Sequence, residues 1–145
     1  MTNGVLPPNF NWVKERFACS LLLVFKSLEE GVRKDVETMD GLVNSKEDII
    51  FKTHTSSNKQ FSAIRIDDAV RGISRSVDFR LSEDGIRVYL STPNGEEEFL
   101  FTANVTLDDE GHCKLRVREE NLDQWQVRKR ALENLFFGPR VRTTA

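Results

Sequence analysis

The sequence predicts an α+β fold: a long N-terminal helix packed on one face of a six-stranded antiparallel meander sheet, with a C-terminal helix. Three observations predict it. Apolar residues recur every three or four positions from Val13 to Val43, which is typical of one helical face. From residue 49 to residue 118 they alternate with polar residues, as in strands with one buried face. A second helical pattern begins near Asn121 and stops at Gly138-Pro139.

The composition indicates one ordered domain over residues 1–145. A hydrophobic fraction of 39% with a net charge of only -2 argues against disorder, and against a surface built to bind nucleic acid or an anionic membrane. We interpret residues 1–9 as an extended arm and residues 139–145 as a flexible tail. The charge is uneven, because eight basic and four acidic residues follow from His112 onward. This mild asymmetry suggests association of the chain with itself at least as readily as binding of a polyanion.

The N-terminal helix is expected to begin after Asn9 or Asn11, since either side-chain amide can cap it. A continuous helix from Asn11 to Val43 would be about 50 Å long, whereas a domain of this size is about 40 Å across. Either the helix breaks near Gly31, or another subunit covers the overhanging part. The apolar stripe keeps its phase through Gly31, which favours the second alternative. We therefore predict a homodimer with the candidate interface residues Trp12, Val32, Val36 and Met39.

The six predicted strands are separated by polar turns that contain glycine, such as SEDG at residues 82–85 and DDEG at residues 108–111. Their apolar faces are expected to meet the long helix in a core that contains Phe17, Phe25, Phe79, Phe99, Phe101 and Phe136. A helix held by a curved sheet can also enclose a pocket. A carrier of a small hydrophobic ligand, or an enzyme with its site in that pocket, is therefore an alternative function.

The two cysteines, Cys19 and Cys113, are too few for the disulfide framework of a small secreted protein. We interpret them as buried thiols in a reducing cytoplasm. The apolar run from Phe17 to Phe25 is far shorter than the roughly 20 residues that a membrane-spanning helix needs. The run is therefore predicted to be buried in a cytoplasmic protein, with no membrane partner.

The sequence predicts no catalytic residue, no metal ligands and no cofactor. No spacing resembles HExxH, CxxC or a glycine-rich phosphate loop. His54 and His112 are the only histidines. Because His112 and Cys113 are adjacent in a predicted strand, their side chains point to opposite faces and do not share a ligand. Enzymatic activity is left open, but no pattern favours it.

The outer sheet face carries the candidate anion-binding residues Arg87, Lys114, Arg116 and Arg118. Single-stranded nucleic acids usually stack on two or three aromatic side chains, and Tyr89 is the only one predicted on this face. Lysine and arginine also protect an exposed sheet edge from pairing with another chain. Edge protection is the favoured interpretation, and nucleic-acid binding is a weaker alternative.

The function predicted from the sequence is that of a non-enzymatic, cytoplasmic protein-interaction module. It forms a homodimer through the N-terminal helix, the sheet edge or both, and binds another protein. The ligand carrier or enzyme described above is the alternative.

Overall fold

The computed structural model describes residues 6–43 and 49–139. Its helices are α1 (Trp12–Ala18), α2 (Leu21–Val43) and α3 (Gln124–Phe137). Its strands are β1 (Ile50–Ser57), β2 (Gln60–Asp68), β3 (Ile73–Ser82), β4 (Gly85–Ser91), β5 (Glu97–Leu107), β6 (Cys113–Val117) and β7 (Glu120–Leu122). Within the described ranges no helix is long and apolar enough to cross a membrane. Residues 1–5 of the predicted arm and 140–145 of the predicted tail lie outside the described residues.

The strands form one sheet in which each strand pairs antiparallel with its neighbours in the sequence. This confirms the predicted α+β class and the antiparallel sheet, with seven strands rather than six. The additional strand is β7, which lies where the sequence predicts the start of the C-terminal helix. Arg118 and Glu119 form the turn before β7 with φ angles of 49° and 70°. This left-handed pair suits a two-residue hairpin between Val117 and Glu120.

The predicted continuous N-terminal helix is wrong, because it is interrupted at Cys19 and Ser20. Asn11 caps α1 as expected, since its side-chain oxygen accepts hydrogen bonds from two backbone N–H groups of the first turn at 3.0 and 3.2 Å. At the start of α2, the Ser20 hydroxyl oxygen accepts a hydrogen bond from the Leu23 N–H at 3.3 Å. α1 ends where the Cys19 N–H donates to the Glu15 carbonyl oxygen at 2.9 Å, and the Ser20 cap then begins α2.

α2 fits within its own domain. Its 23 residues span about 35 Å, and it runs unbroken through Gly31, in agreement with the favoured alternative at that position. The chain's own sheet covers its apolar stripe, whose buried residues are Val24, Phe25, Leu28, Val32, Val36 and Met39. In α1, by contrast, Val13 is exposed and the Phe17 side chain is 77% exposed, although both were assigned to the stripe. The overhang that predicts a dimer therefore does not exist.

Aromatic rings fill the space between α2 and the middle of the sheet. The ring centroids of Phe25 and Phe61 lie 5.1 Å apart, and Phe61 stacks on Phe79 at 4.7 Å. Leu28 of α2 and Val77 of β3 are fully buried beside them. These side chains fill the middle of the helix–sheet interface.

Phe99 departs from the predicted core because β5 carries a bulge. Val88 and Tyr89 are adjacent in β4 but pair with Phe101 and Phe99, so Leu100 is an extra residue. The extra residue turns Phe99 to the outer face, where it is exposed and its ring meets Tyr89 at 5.6 Å. The prediction of a single aromatic side chain on that face is therefore wrong.

α3 begins later than predicted, because Asp123 forms its N-cap in a capping box with Gln126. It ends at Gly138, as the sequence predicts. Its buried residues are Val127, Ala131, Leu132 and Leu135. Trp125, by contrast, is exposed. The first turn of α3 therefore presents an indole ring at the protein surface.

Cys19 and Cys113 form a disulfide, with their Cα atoms 5.5 Å apart. The expectation of two buried thiols is wrong. The disulfide joins the α1–α2 junction to the start of β6 across 94 positions of sequence. Only the folded topology brings the two residues together, since neither lies in a motif that implies a partner.

Candidate functional site

A groove lies between the C-terminal half of α2 and the length of α3, and it has a volume of about 420 Å³. Its apolar lining consists of Met39, Leu42, Trp125, Leu132, Phe136 and Phe137. Grooves and clefts that bind small molecules have volumes of roughly 300–1,000 Å³ and a similar apolar lining. Volume and composition therefore identify the groove as the candidate functional site.

The groove is flanked by large apolar side chains that the chain itself leaves exposed. Leu42 in the last turn of α2 is 75% exposed, Trp125 in the first turn of α3 is 56% exposed and Phe137 in its last residue is 73% exposed. Single exposed apolar residues are common, but several around one apolar groove are typical of a binding surface. The exposed residues stand at both ends of α3, so the apolar surface extends along the whole helix.

Charged residues at the rim are paired within the chain. Arg128 Nε donates to Asp35 Oδ2 at 2.7 Å, and Arg128 Nη1 donates to Gln124 Oε1 at 2.7 Å. Lys129 Nζ donates to Glu133 Oε1 at 3.1 Å. The rim thus carries both signs of charge side by side, with no excess of either in these pairs.

A buried ion cluster of Arg65, Asp67 and Arg75 lies beneath the C-terminal end of α3. Arg65 Nε donates to Asp67 Oδ1 at 2.7 Å, and Arg75 Nη2 donates to Asp67 Oδ2 at 3.3 Å. Arg65 Nη1 also donates at 2.9 Å to the carbonyl oxygens of Leu135 and Gly138. Burial lowers the pKa of Arg75, although the nearby Asp67 carboxylate opposes this effect. The cluster satisfies free acceptors at the helix end and so fixes one end of the groove.

The sequence contains a signal for this cluster that our sequence analysis missed. In the segment FSAIRID, Arg65 and Asp67 have the same parity as Phe61 and Ala63, which the alternation places on the buried face. Two opposite charges at positions i and i+2 of a strand stand side by side. Such a pair is one of the few ways in which ionised side chains are accommodated in a core.

The structure divides the four predicted interface residues into two groups. Val32 and Val36 are buried against the chain's own sheet, where a partner cannot reach them, so their assignment to an interface is wrong. Met39 lies in the lining of the groove, and Trp12 is exposed on α1. A contact of Met39 or Trp12 with a partner stays a prediction.

The four predicted anion-binding side chains have partners within the chain. Arg87 donates to the carboxylate of Asp84, and Lys114 donates to that of Asp123. Arg116 donates to the side chain of Asn121, and Arg118 donates to the backbone carbonyl of Leu100. Two of the four cations therefore meet a carboxylate. The surface they form is less positive than the sequence suggests.

We expect the Asp84 carboxyl group to titrate with a pKa of about 2, below its ordinary value of 3.8. The Arg87 guanidinium and the Ser82 hydroxyl donate to it and stabilise its charged form. Because the folded state has the lower pKa, this contact stabilises the fold above about pH 4 and loses its effect as the pH falls towards 2. An NMR titration of the side-chain carboxyl carbons measures the shift. Arg87→Met should return the midpoint towards 3.8; an unchanged midpoint would contradict the assignment.

A second polar cluster surrounds Asp78 on the outer sheet face. Ser62 Oγ and Ser76 Oγ donate to Asp78 Oδ1 at 2.7 and 3.1 Å, and Ser91 Oγ donates to Asp78 Oδ2 at 3.0 Å. His54 is the cross-strand neighbour of Ser62. The Ser62 proton is directed to Asp78, however, so the arrangement differs from a serine activated by a histidine base. The cluster is a network whose members satisfy one another.

The groove between α2 and α3 offers apolar contact area bordered by paired charges, which suits the docking of another apolar surface. Among residues 6–43 and 49–139, no three histidine, cysteine, aspartate or glutamate side chains are grouped so that they could hold a metal ion. No protein-family model, no curated protein and no solved structure matches this chain.

Proposed function

We propose that this chain is a non-enzymatic protein-interaction module that forms a homodimer through the groove between α2 and α3. One observation carries the proposal: Leu42, Trp125 and Phe137 are exposed around an apolar groove of about 420 Å³. Burial of such side chains provides most of the free energy of protein association. The groove replaces the overhanging helix as the reason for a dimer.

A second copy of the chain is the proposed occupant because the surface is complementary to itself. A two-fold interface places the same patch on both subunits, so each patch must supply both protruding side chains and a recess. Here Trp125 and Phe137 protrude at opposite ends of α3, and the recess lies between them. If two α3 helices pack antiparallel, Trp125 of each copy meets the Phe137 end of the other. The mixed charges of the rim avoid repulsion between like charges in this arrangement.

Trp125→Glu should convert the dimer into a monomer. A tryptophan that becomes buried in an interface contributes about 2 kcal/mol or more, so we expect the dissociation constant to rise roughly 30-fold or more. Sedimentation equilibrium over a range of micromolar concentrations measures the change. Trp12→Glu is the matched control, because it introduces the same charge at the chain's other tryptophan, on α1.

Three results would contradict this interface. A wild-type chain that sediments as a monomer throughout the concentration range would show that no dimer forms. Trp125→Glu could leave the dimer intact, which would exclude the groove. If Trp12→Glu dissociated the dimer and Trp125→Glu did not, the interface would lie on α1, where Trp12 was predicted to contact a partner.

A carrier of a small apolar ligand is the second candidate, and the volume and lining of the same groove favour it. It differs from the carrier predicted from the sequence, because the groove lies between two helices and not between helix and sheet. A monomeric wild-type chain that binds one equivalent of a neutral apolar dye, and loses this binding in Trp125→Glu, would favour the carrier. Nucleic-acid binding is disfavoured, since each predicted anion-binding side chain already has a partner.

The proposal also concerns the cellular compartment in which the protein is found. The Cys19–Cys113 disulfide supports an oxidising compartment, because such bonds persist there and are rare in the cytoplasm. The cytoplasmic location predicted from the cysteine count stays a prediction, with this observation against it.

A further inference from the structure

The two cysteines of the disulfide differ in their exposure to solvent. Cys19 is 1% exposed between the α1–α2 junction and the sheet, whereas Cys113 is exposed at the start of β6. Thiol–disulfide exchange requires an attacking thiolate to reach one of the two sulfur atoms. The fold therefore allows attack at Cys113 and blocks attack at Cys19.

A pocket of about 260 Å³ opens beside Cys113. Leu23 and Ser27 of α2 form one side of it, and Lys114 and Gln124 contribute polar groups. Gln124 Nε2 donates to Ser27 Oγ at 3.0 Å, which holds this wall in place. The pocket thus provides space and hydrogen-bonding groups next to Cys113.

The buried sulfur atom has an acceptor ready for the proton that it gains when the disulfide opens. Cys19 Sγ lies 3.5 Å from the carbonyl oxygen of Thr106, within reach of a weak S–H hydrogen bond. A free Cys19 thiol is therefore accommodated without rearrangement of β5.

We propose that Cys113 is a site of thiol–disulfide exchange with a low-molecular-mass thiol bound in the adjacent pocket. The thiolate of the incoming molecule attacks Cys113 Sγ and forms a mixed disulfide with it. The Cys19–Cys113 bond breaks, its electron pair passes to Cys19 Sγ, and this sulfur atom takes a proton from water. The reactants are one disulfide and one thiol, and the products are one mixed disulfide and one thiol, so no further oxidant or reductant is needed. The step also removes the covalent tie between β6 and α1, a helix that has no buried residue.

The test is to map the adduct that reduced glutathione forms with the folded full-length chain. After an acid quench, free thiols are alkylated and the peptides are analysed by mass spectrometry. We expect glutathione on Cys113 and the alkyl label on Cys19, with a ratio of at least about tenfold over the reverse pattern. The chain unfolded in urea is the control, and there the two cysteines should react almost equally. An equal or reversed distribution in the folded chain, or an adduct formed only in urea, would overturn the proposal.

A second measurement tests the pocket. Ser27→Phe should fill the pocket and slow adduct formation about tenfold in the folded chain, while the rate in urea stays unchanged. Lys34→Phe is the matched control, since Lys34 is exposed on the same helix outside the pocket lining. If both variants react at the wild-type rate, the pocket has no part in the exchange and this part of the proposal fails.

Discussion

Asp67→Ala should lower the free energy of unfolding by about 3–5 kcal/mol, because it leaves buried cations without their counter-charge. The Asp67 side chain is 0% exposed and lies between Arg65 and Arg75. Removal of the carboxylate leaves two guanidinium groups, of which the Arg65 side chain is 4% and the Arg75 side chain 11% exposed, without the anion between them. Urea unfolding followed by circular dichroism measures the loss.

Glu133→Ala is the matched control for this prediction, because it also removes one carboxylate from an ion pair. Its partner is Lys129, and both side chains are more than half exposed. Exposed pairs of this kind contribute only a few tenths of a kcal/mol. If Asp67→Ala costs no more than Glu133→Ala, the cluster does not stabilise the end of α3 as we infer.

Replacement of both cysteines by serine should have the second large effect, a loss of about 2–5 kcal/mol in the free energy of unfolding. The disulfide closes a loop with a sequence separation of 94. For a loop of this length, restriction of the unfolded chain alone is worth about 4.7 kcal/mol in the chain-entropy account. Urea unfolding of Cys19→Ser/Cys113→Ser, compared with the oxidised wild type, measures the difference.

A reductant supplies an independent check on the same quantity. The reduced wild type should unfold at nearly the midpoint of the double variant, and the double variant should not respond to reductant at all. An oxidised wild type whose midpoint is also insensitive to reductant would show that the disulfide contributes nothing to stability. Agreement between the double variant and the reduced wild type would exclude an effect of the serine side chains themselves.

Local patterns in the sequence were sufficient to predict most of the elements. The buried stripe from Val24 to Met39 follows the helical period, and the strands follow the period of two. The break at Cys19 and Ser20 was not predictable from that period, because the stripe continues through it unchanged. Whether Val13 and Phe17 are buried depends on how far the sheet extends beneath them. The sequence period does not contain that information.

The candidate site was the least predictable part of the molecule. Trp125 has the spacing of an inner-face residue, and its exposure depends on the way in which α3 docks on α2. Phe99 fits the core alternation as well as Phe101 does, and only the bulge at Leu100 separates them. The disulfide and the groove likewise arise from contacts between residues distant in sequence. Such contacts are properties of tertiary packing, which a pattern read along one strand or helix does not determine.

Gly31 limits which residues can replace it in the course of evolution. A methyl group at this position would lie 2.7 Å from Arg128 Nη1 and 2.8 Å from Gln124 Oε1. Alanine would improve the intrinsic helix propensity of α2 by about 1 kcal/mol, yet it would push the Arg128 guanidinium away from Asp35. A more stable helix and an intact Arg128–Asp35 ion pair at the rim of the groove therefore make opposite demands on this position. Glycine at position 31 avoids the close contact and accepts the lower helix propensity.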